Sequence, residues 1–128
     1  MSAATTVLLV EDDRHIALAL QIRLSAAGFC VVLGASVGQA ITLVEKQVPD
    51  VAVLDINLPD GNGLDLMKRF ASMKGTASIA TIIMTASRKP GLREQALAMG
   101  ACAFLEKPFS SAALLEAITR PGCSEEAS

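Results

Sequence analysis

The chain has 128 residues, of which 52% are hydrophobic and 19% charged, and a formal net charge of −2. That balance excludes a disordered chain, and a mild negative charge argues against direct nucleic-acid binding. A chain of this length forms one compact domain and buries roughly two-thirds of its unfolded surface.

No apolar run approaches the ~20 residues of a membrane span. The start of the chain lacks the basic segment of a signal peptide. A cytoplasmic protein with no membrane partner is therefore expected. Cys30, Cys102 and Cys123 are odd in number and form no CxxC pair. Reduced thiols are expected, not a zinc site or a disulfide framework. Trp and Tyr are absent, so the core must be aliphatic.

In chain order, the first predicted strand is Thr5–Val10. A helix over His15–Ala27 follows, with Ile16, Leu20 and Leu24 on one face. Gly28 suits the left-handed residue beyond its end. The second strand is Phe29–Leu33. Ser36 and Gln39 have capping-box spacing and open a helix over Val37–Gln47, which Pro49 cannot continue. A strand at Val51–Ile56 and a helix at Leu64–Met73 come next. Then follow a strand at Thr81–Met84, a helix at Leu92–Met99 closed by Gly100, a strand at Cys102–Leu105 and a helix at Ser111–Thr119. Continuous apolar strands suit burial on both faces. Five βα units with right-handed crossovers give a doubly wound α/β fold with a parallel five-stranded sheet. One domain is expected over residues 1–128, with its core at about 6–119 and a tail at 120–128.

In such a sheet, ligands gather beyond the C-terminal ends of the strands. Glu11, Asp12 and Asp13 follow the first strand, and Asp55 and Asn57 the third. Thr85, Ala86 and Ser87 follow the fourth, and Lys107 and Pro108 the fifth. Each piece alone has an ordinary explanation: an acidic pair before a helix usually caps it. Their joint occurrence at one edge is what points to chemistry. Clustered carboxylates repel unless a cation is present, and Mg²⁺ takes carboxylates and waters. Lys107 is a compact charge for a phosphoryl oxygen, Thr85 a hydroxyl donor, and a carboxylate can be the nucleophile toward phosphorus.

The segments VLLVEDD, VLDINLPDGNG, IIMTAS and FLEKPF resemble the receiver domain of bacterial two-component response regulators. The resemblance covers about residues 6–119, and the spacings agree: 30 residues from Asp55 to Thr85 and 22 from Thr85 to Lys107. It implies a flavodoxin-like strand order of 2-1-3-4-5. It implies that Asp55 accepts a phosphoryl group from a phosphohistidine on a histidine kinase or histidine phosphotransfer protein. Asp13, Asp55 and the Asn57 backbone carbonyl would ligate Mg²⁺ (or Mn²⁺), and Asp12 would act through a bound water. Lys107, Thr85 and the N–H of Ala86 would hold phosphoryl oxygens. Thr85 and Phe104 would shift together and rework the face of the fourth helix, fifth strand and fifth helix, where a downstream protein docks. The Lys107–Pro108 bond would be cis. Phe104 lacks a tyrosine hydroxyl, so its switching would rest on packing alone.

Other readings fit these residues less well. An aspartyl-nucleophile phosphatase needs a second Asp as general acid, where Asn57 stands. A receiver-like module that docks without phosphorylation would not need the intact Asp12, Asp13, Asp55, Thr85 and Lys107 set. His15, Lys68, Arg69, Lys74, Arg88, Lys89 and Arg93 read as solvated surface. The expected protein is a signalling switch, not an enzyme, although it catalyses its own phosphorylation and dephosphorylation.

Overall fold

The computed structural model describes residues 4–119; the expected tail, with Pro121 and Cys123, lies outside them. Strands and helices alternate as β1 (Thr6–Val10), α1 (Arg14–Ala26), β2 (Cys30–Gly34), α2 (Val37–Lys46), β3 (Val51–Asp55), α3 (Gly63–Ser72), β4 (Ala80–Thr85), α4 (Leu92–Ala98), β5 (Ala103–Glu106) and α5 (Ser111–Thr119). All ten predicted elements are present, with ends moved by a residue or so. One element was not foreseen. Between β3 and α3, Asn57–Leu58 pairs antiparallel with Gly61–Asn62 in a short hairpin.

The five long strands form one parallel sheet in the order β2-β1-β3-β4-β5. Alternate residues of each strand point to opposite faces. Leu8, Val10, Ala52, Leu54 and Ile83 pack on one side with Ala40 and Val44 of α2, Phe70 of α3 and Ala96 of α4. Val7, Leu9, Val53, Ile82 and Met84 pack on the other with Leu24 of α1 and Leu114, Ala117 and Ile118 of α5. Each fully buried Leu or Ile contributes about 2 kcal/mol, and both faces of the central strands do so.

Local signals act largely as expected. Gly28 (φ 99°) and Gly100 (φ 108°) hold the left-handed turns after α1 and α4. Ser36 Oγ accepts from Gln39 N at 3.1 Å. The returning bond differs from a standard capping box: Gln39 Oε1 accepts from Ala35 N, not from Ser36 N. Cys30 is a free, exposed thiol. Cys102 is disulfide-bonded, which corrects the expectation of reduced thiols throughout. Among the described residues, no helix is long and apolar enough to cross a membrane.

Candidate functional site

Three strands run one step past their ends, with charge at that step in β1 and β5 and at the last residue, Asp55, in β3. Glu11 N donates to Gly34 O at 3.0 Å, Ile56 N to Met84 O at 3.1 Å, and Lys107 N to Thr85 O at 2.8 Å. The ladder therefore holds Glu11, Asp55 and Lys107 in phase with Leu9, Val53 and Leu105, all toward the α1/α5 face. Their side chains converge. Lys107 Nζ donates to Asp55 Oδ2 at 2.9 Å and also to Glu11 Oε1. Glu11 and Asp55 are both buried.

Burial sets the electrostatics. It pushes the Glu11 carboxyl above its usual range, and the Lys107 contact only partly offsets this. Burial alone would push Lys107 down, but the combined contacts of Glu11 and Asp55 outweigh it and hold the ammonium above its ordinary value.

Carboxylate oxygens of Glu11, Asp12 and Asp55 lie within 4.8 Å of one another. Asp13, expected as a direct metal ligand, is not part of this group. Its Oδ1 accepts from His15 N at 3.0 Å and Ile16 N at 3.1 Å and so caps α1. Asp13 stands immediately before the first helical residue, where a short carboxylate satisfies orphan N–H groups. Glu11, not Asp13, takes the buried place. The signal was its in-phase spacing from Val7 and Leu9.

The remaining expected residues are at the same edge. Thr85 is fully buried at the end of β4, and its Oγ1 accepts from Ser87 N at 3.0 Å, leaving its O–H as a donor. Ala86 is exposed and lines an open cavity of about 450 Å³ with Ile16, Leu20, Lys107, Pro108 and Phe109. The Lys107–Pro108 bond is cis, as expected. Asn57 is exposed, and its N–H donates to Asp55 Oδ1 at 3.3 Å.

Phe104 is buried, and it is not held by apolar packing alone. The Arg93 guanidinium lies 5.8 Å from the centre of its ring. Arg88 is likewise more than solvated surface. It pairs with Glu106 at 3.2 Å and donates to Lys107 O at 2.9 Å. His15 is exposed and outside the cluster.

The donor set is three carboxylates against one ammonium. Hard oxygen donors with uncompensated negative charge fit a cation such as Mg²⁺, and a water-accessible rim at Asp12 leaves it an entry.

Comparisons with known proteins agree with this geometry. The family model described as the response regulator receiver domain matches residues 7–119. The chain is 37% identical over 118 residues to the C4-dicarboxylate transport transcriptional regulatory protein DctD of Pseudomonas aeruginosa, covering 92% of this chain and 25% of that protein. It is 37% identical over 113 residues to the transcriptional regulatory protein PdtaR of Mycobacterium tuberculosis, covering 88% of this chain and 54% of that protein. The chain thus spans from a quarter to about half the length of such curated relatives. Among solved structures it resembles the receiver domain of HemR from Leptospira biflexa, with 30% identity, a TM-score of 0.82, and coverage of 91% of this chain and 92% of that one. It also resembles the chemotaxis response regulator CheY4 of Vibrio cholerae, with 26% identity, a TM-score of 0.84, and coverage of 92% and 98%.

Proposed function

The chain belongs to the response regulator receiver domain family, and from that membership we propose that it is the phosphoacceptor module of a two-component or phosphorelay system, with Asp55 as the acceptor. The observation that supports this most is the Asp55 carboxylate itself. It is buried at the end of β3, 2.9 Å from the Lys107 ammonium and beside the carboxylates of Glu11 and Asp12.

In the proposed reaction an Asp55 oxygen attacks the phosphorus of a phosphohistidine on a kinase or phosphotransfer partner. The P–O bond forms as the P–N bond breaks, and the imidazole leaves with the bonding pair, neutral once its ring is protonated. Asp55, Asp12 and the Asn57 backbone carbonyl would hold Mg²⁺ or Mn²⁺, with Glu11 behind them. When bound, that ion neutralises the carboxylates and the incoming phosphoryl oxygens. Lys107 exchanges part of its carboxylate contact for a phosphoryl oxygen. The Thr85 O–H and the Ala86 N–H donate to the others. Water later attacks phosphorus, and Asp55 returns with release of phosphate.

The outcome is a switch, not turnover of a metabolite. Drawing Thr85 toward the phosphoryl group biases two pre-existing conformations, with Phe104 and the α4–β5–α5 face following. In this reading the chain works in the cytoplasm, meets a downstream protein through that face and does not itself touch nucleic acid.

Incubation with a small phosphodonor tests the reading, with Mg²⁺ or with chelator, beside Asp55→Asn. Intact mass should show one phosphoryl gain that needs both Mg²⁺ and Asp55. No gain by wild-type protein that binds Mg²⁺ would overturn it in favour of docking without phosphorylation.

A further inference from the structure

We propose that Asp60 is a positioning residue for the cation site, pinning the hairpin that carries Asn57 to the N-terminus of α2. The inference rests on the reading above, in which the Asn57 carbonyl is a ligand.

The hairpin begins two residues after Asp55. Gly63 N donates to Ile56 O at 2.8 Å and closes its base. Above that bond there are only two rungs, Asn57 opposite Asn62 and Leu58 opposite Gly61. An isolated ladder of that size has little stability of its own. Something outside must fix its tip.

Asp60 stands at the tip. Its Oδ1 accepts from Val37 N at 2.7 Å and its Oδ2 from Gly38 N at 3.0 Å, across 23 and 22 residues of sequence. These are the first two N–H groups of α2, which no carbonyl of the helix can reach. Ser36 Oγ takes the third, Gln39 N. The two bonds are charge-assisted and place an anion at the positive end of a helix. They also hold the Asp60 carboxyl below its usual range, Gly38 first and Val37 second.

The approach is close at Gly61 and leaves ordinary contact distance at Gly38. A Cβ on Gly61 would stand 3.0 Å from Val37 Cγ2, and one on Gly38 would stand 3.5 Å from Asp60 Oδ2. Leu58 is buried in the core on the α2 side of the sheet. One side chain therefore completes the cap of α2 and fixes where the Asn57 backbone lies relative to Asp55.

The test is a calorimetric titration of the full chain with Mg²⁺, well below the melting temperature, on wild type, Asp60→Ala and Ser36→Ala. Ser36→Ala removes a cap from the same helix without touching the hairpin. Asp60→Ala should raise the Mg²⁺ dissociation constant about tenfold, the usual effect of losing an outer support of a metal site. Ser36→Ala should lower the melting temperature and leave the Mg²⁺ affinity as it was. Unchanged affinity in Asp60→Ala beside a normally binding wild type would sink the inference alone. Equal losses in both variants would also sink it, since the effect would then run through α2 and not the hairpin. A wild type that binds no Mg²⁺ would sink the reading of the site and this inference with it.

Discussion

The Arg93 guanidinium lies over the Phe104 ring, 5.8 Å from its centre, and Arg93 Nη1 donates to the Phe104 carbonyl at 3.3 Å. A residue of α4 thus holds both the ring and the backbone of the β5 aromatic. In a chain whose aromatic at this place has no hydroxyl, the cation supplies a directional contact that apolar packing lacks.

Removing that contact should loosen the ring. Arg93→Ala is expected to cost about 0.5–1 kcal/mol of stability and to increase exchange of Phe104 between buried and solvent-facing positions. Denaturant unfolding and NMR of labelled Phe rings read the two effects. An unchanged Phe104 signal would show that packing alone holds the ring. With no Trp or Tyr in the chain, unfolding is followed by far-ultraviolet circular dichroism.

Lys107 balances two buried carboxylates at once. Lys107→Ala leaves Glu11 and Asp55 facing each other without their ammonium, at a cost of about 3 kcal/mol at neutral pH. Added Mg²⁺ should restore much of that stability. Asp55 remains, so phosphoryl uptake should slow but persist, while the amide shifts of Phe104 and the α4–β5–α5 face on phosphorylation should be lost. Wild-type shifts in a phosphorylated Lys107→Ala protein would refute the role given to Lys107.

Glu11 makes stability depend on pH with a definite sign. Its carboxyl is raised above its ordinary value of 4.5, chiefly by burial. The folded state therefore holds that proton more tightly than the unfolded state. Its favourable contribution is fully present below the unfolded value and is lost as pH rises through the folded one. In chelator, Glu11→Gln should melt higher than wild type near neutral pH, and the gap should close on acidification toward the ordinary value. A gap that stays constant across this range would show that burial of the charge is not its cause.

Gly63 is the tightest backbone constraint beside the site. A Cβ there would meet Asp55 O at 2.2 Å. The obstacle is main chain and cannot rotate away, so Gly63→Ala should cost about 3 kcal/mol and weaken Mg²⁺ binding by displacing the end of β3. Urea unfolding and calorimetry would check both. Wild-type stability would mean that the α3 start relaxes without strain.

Much of this protein was decided by its sequence. The β-branched runs, the helical spacing of Ile16, Leu20 and Leu24, and the glycines after α1 and α4 act between near neighbours, so they specify strands, helices and their ends. Short βα connections and right-handed crossovers then bring Asp55, Thr85 and Lys107 to one edge. Tertiary structure alone decided what depends on long-range pairing. Glu11 turns inward, and Asp13 does not, because Glu11 stays in the ladder through Gly34 O, whereas Asp13 has left it to cap α1. Arg93 finds Phe104, Arg88 finds Glu106, and Asp60 reaches α2 only after the sheet has placed distant segments side by side. Periodicity and capping carry no record of such partners, because their geometry is set by which strand lies next to which and by the room its neighbours leave.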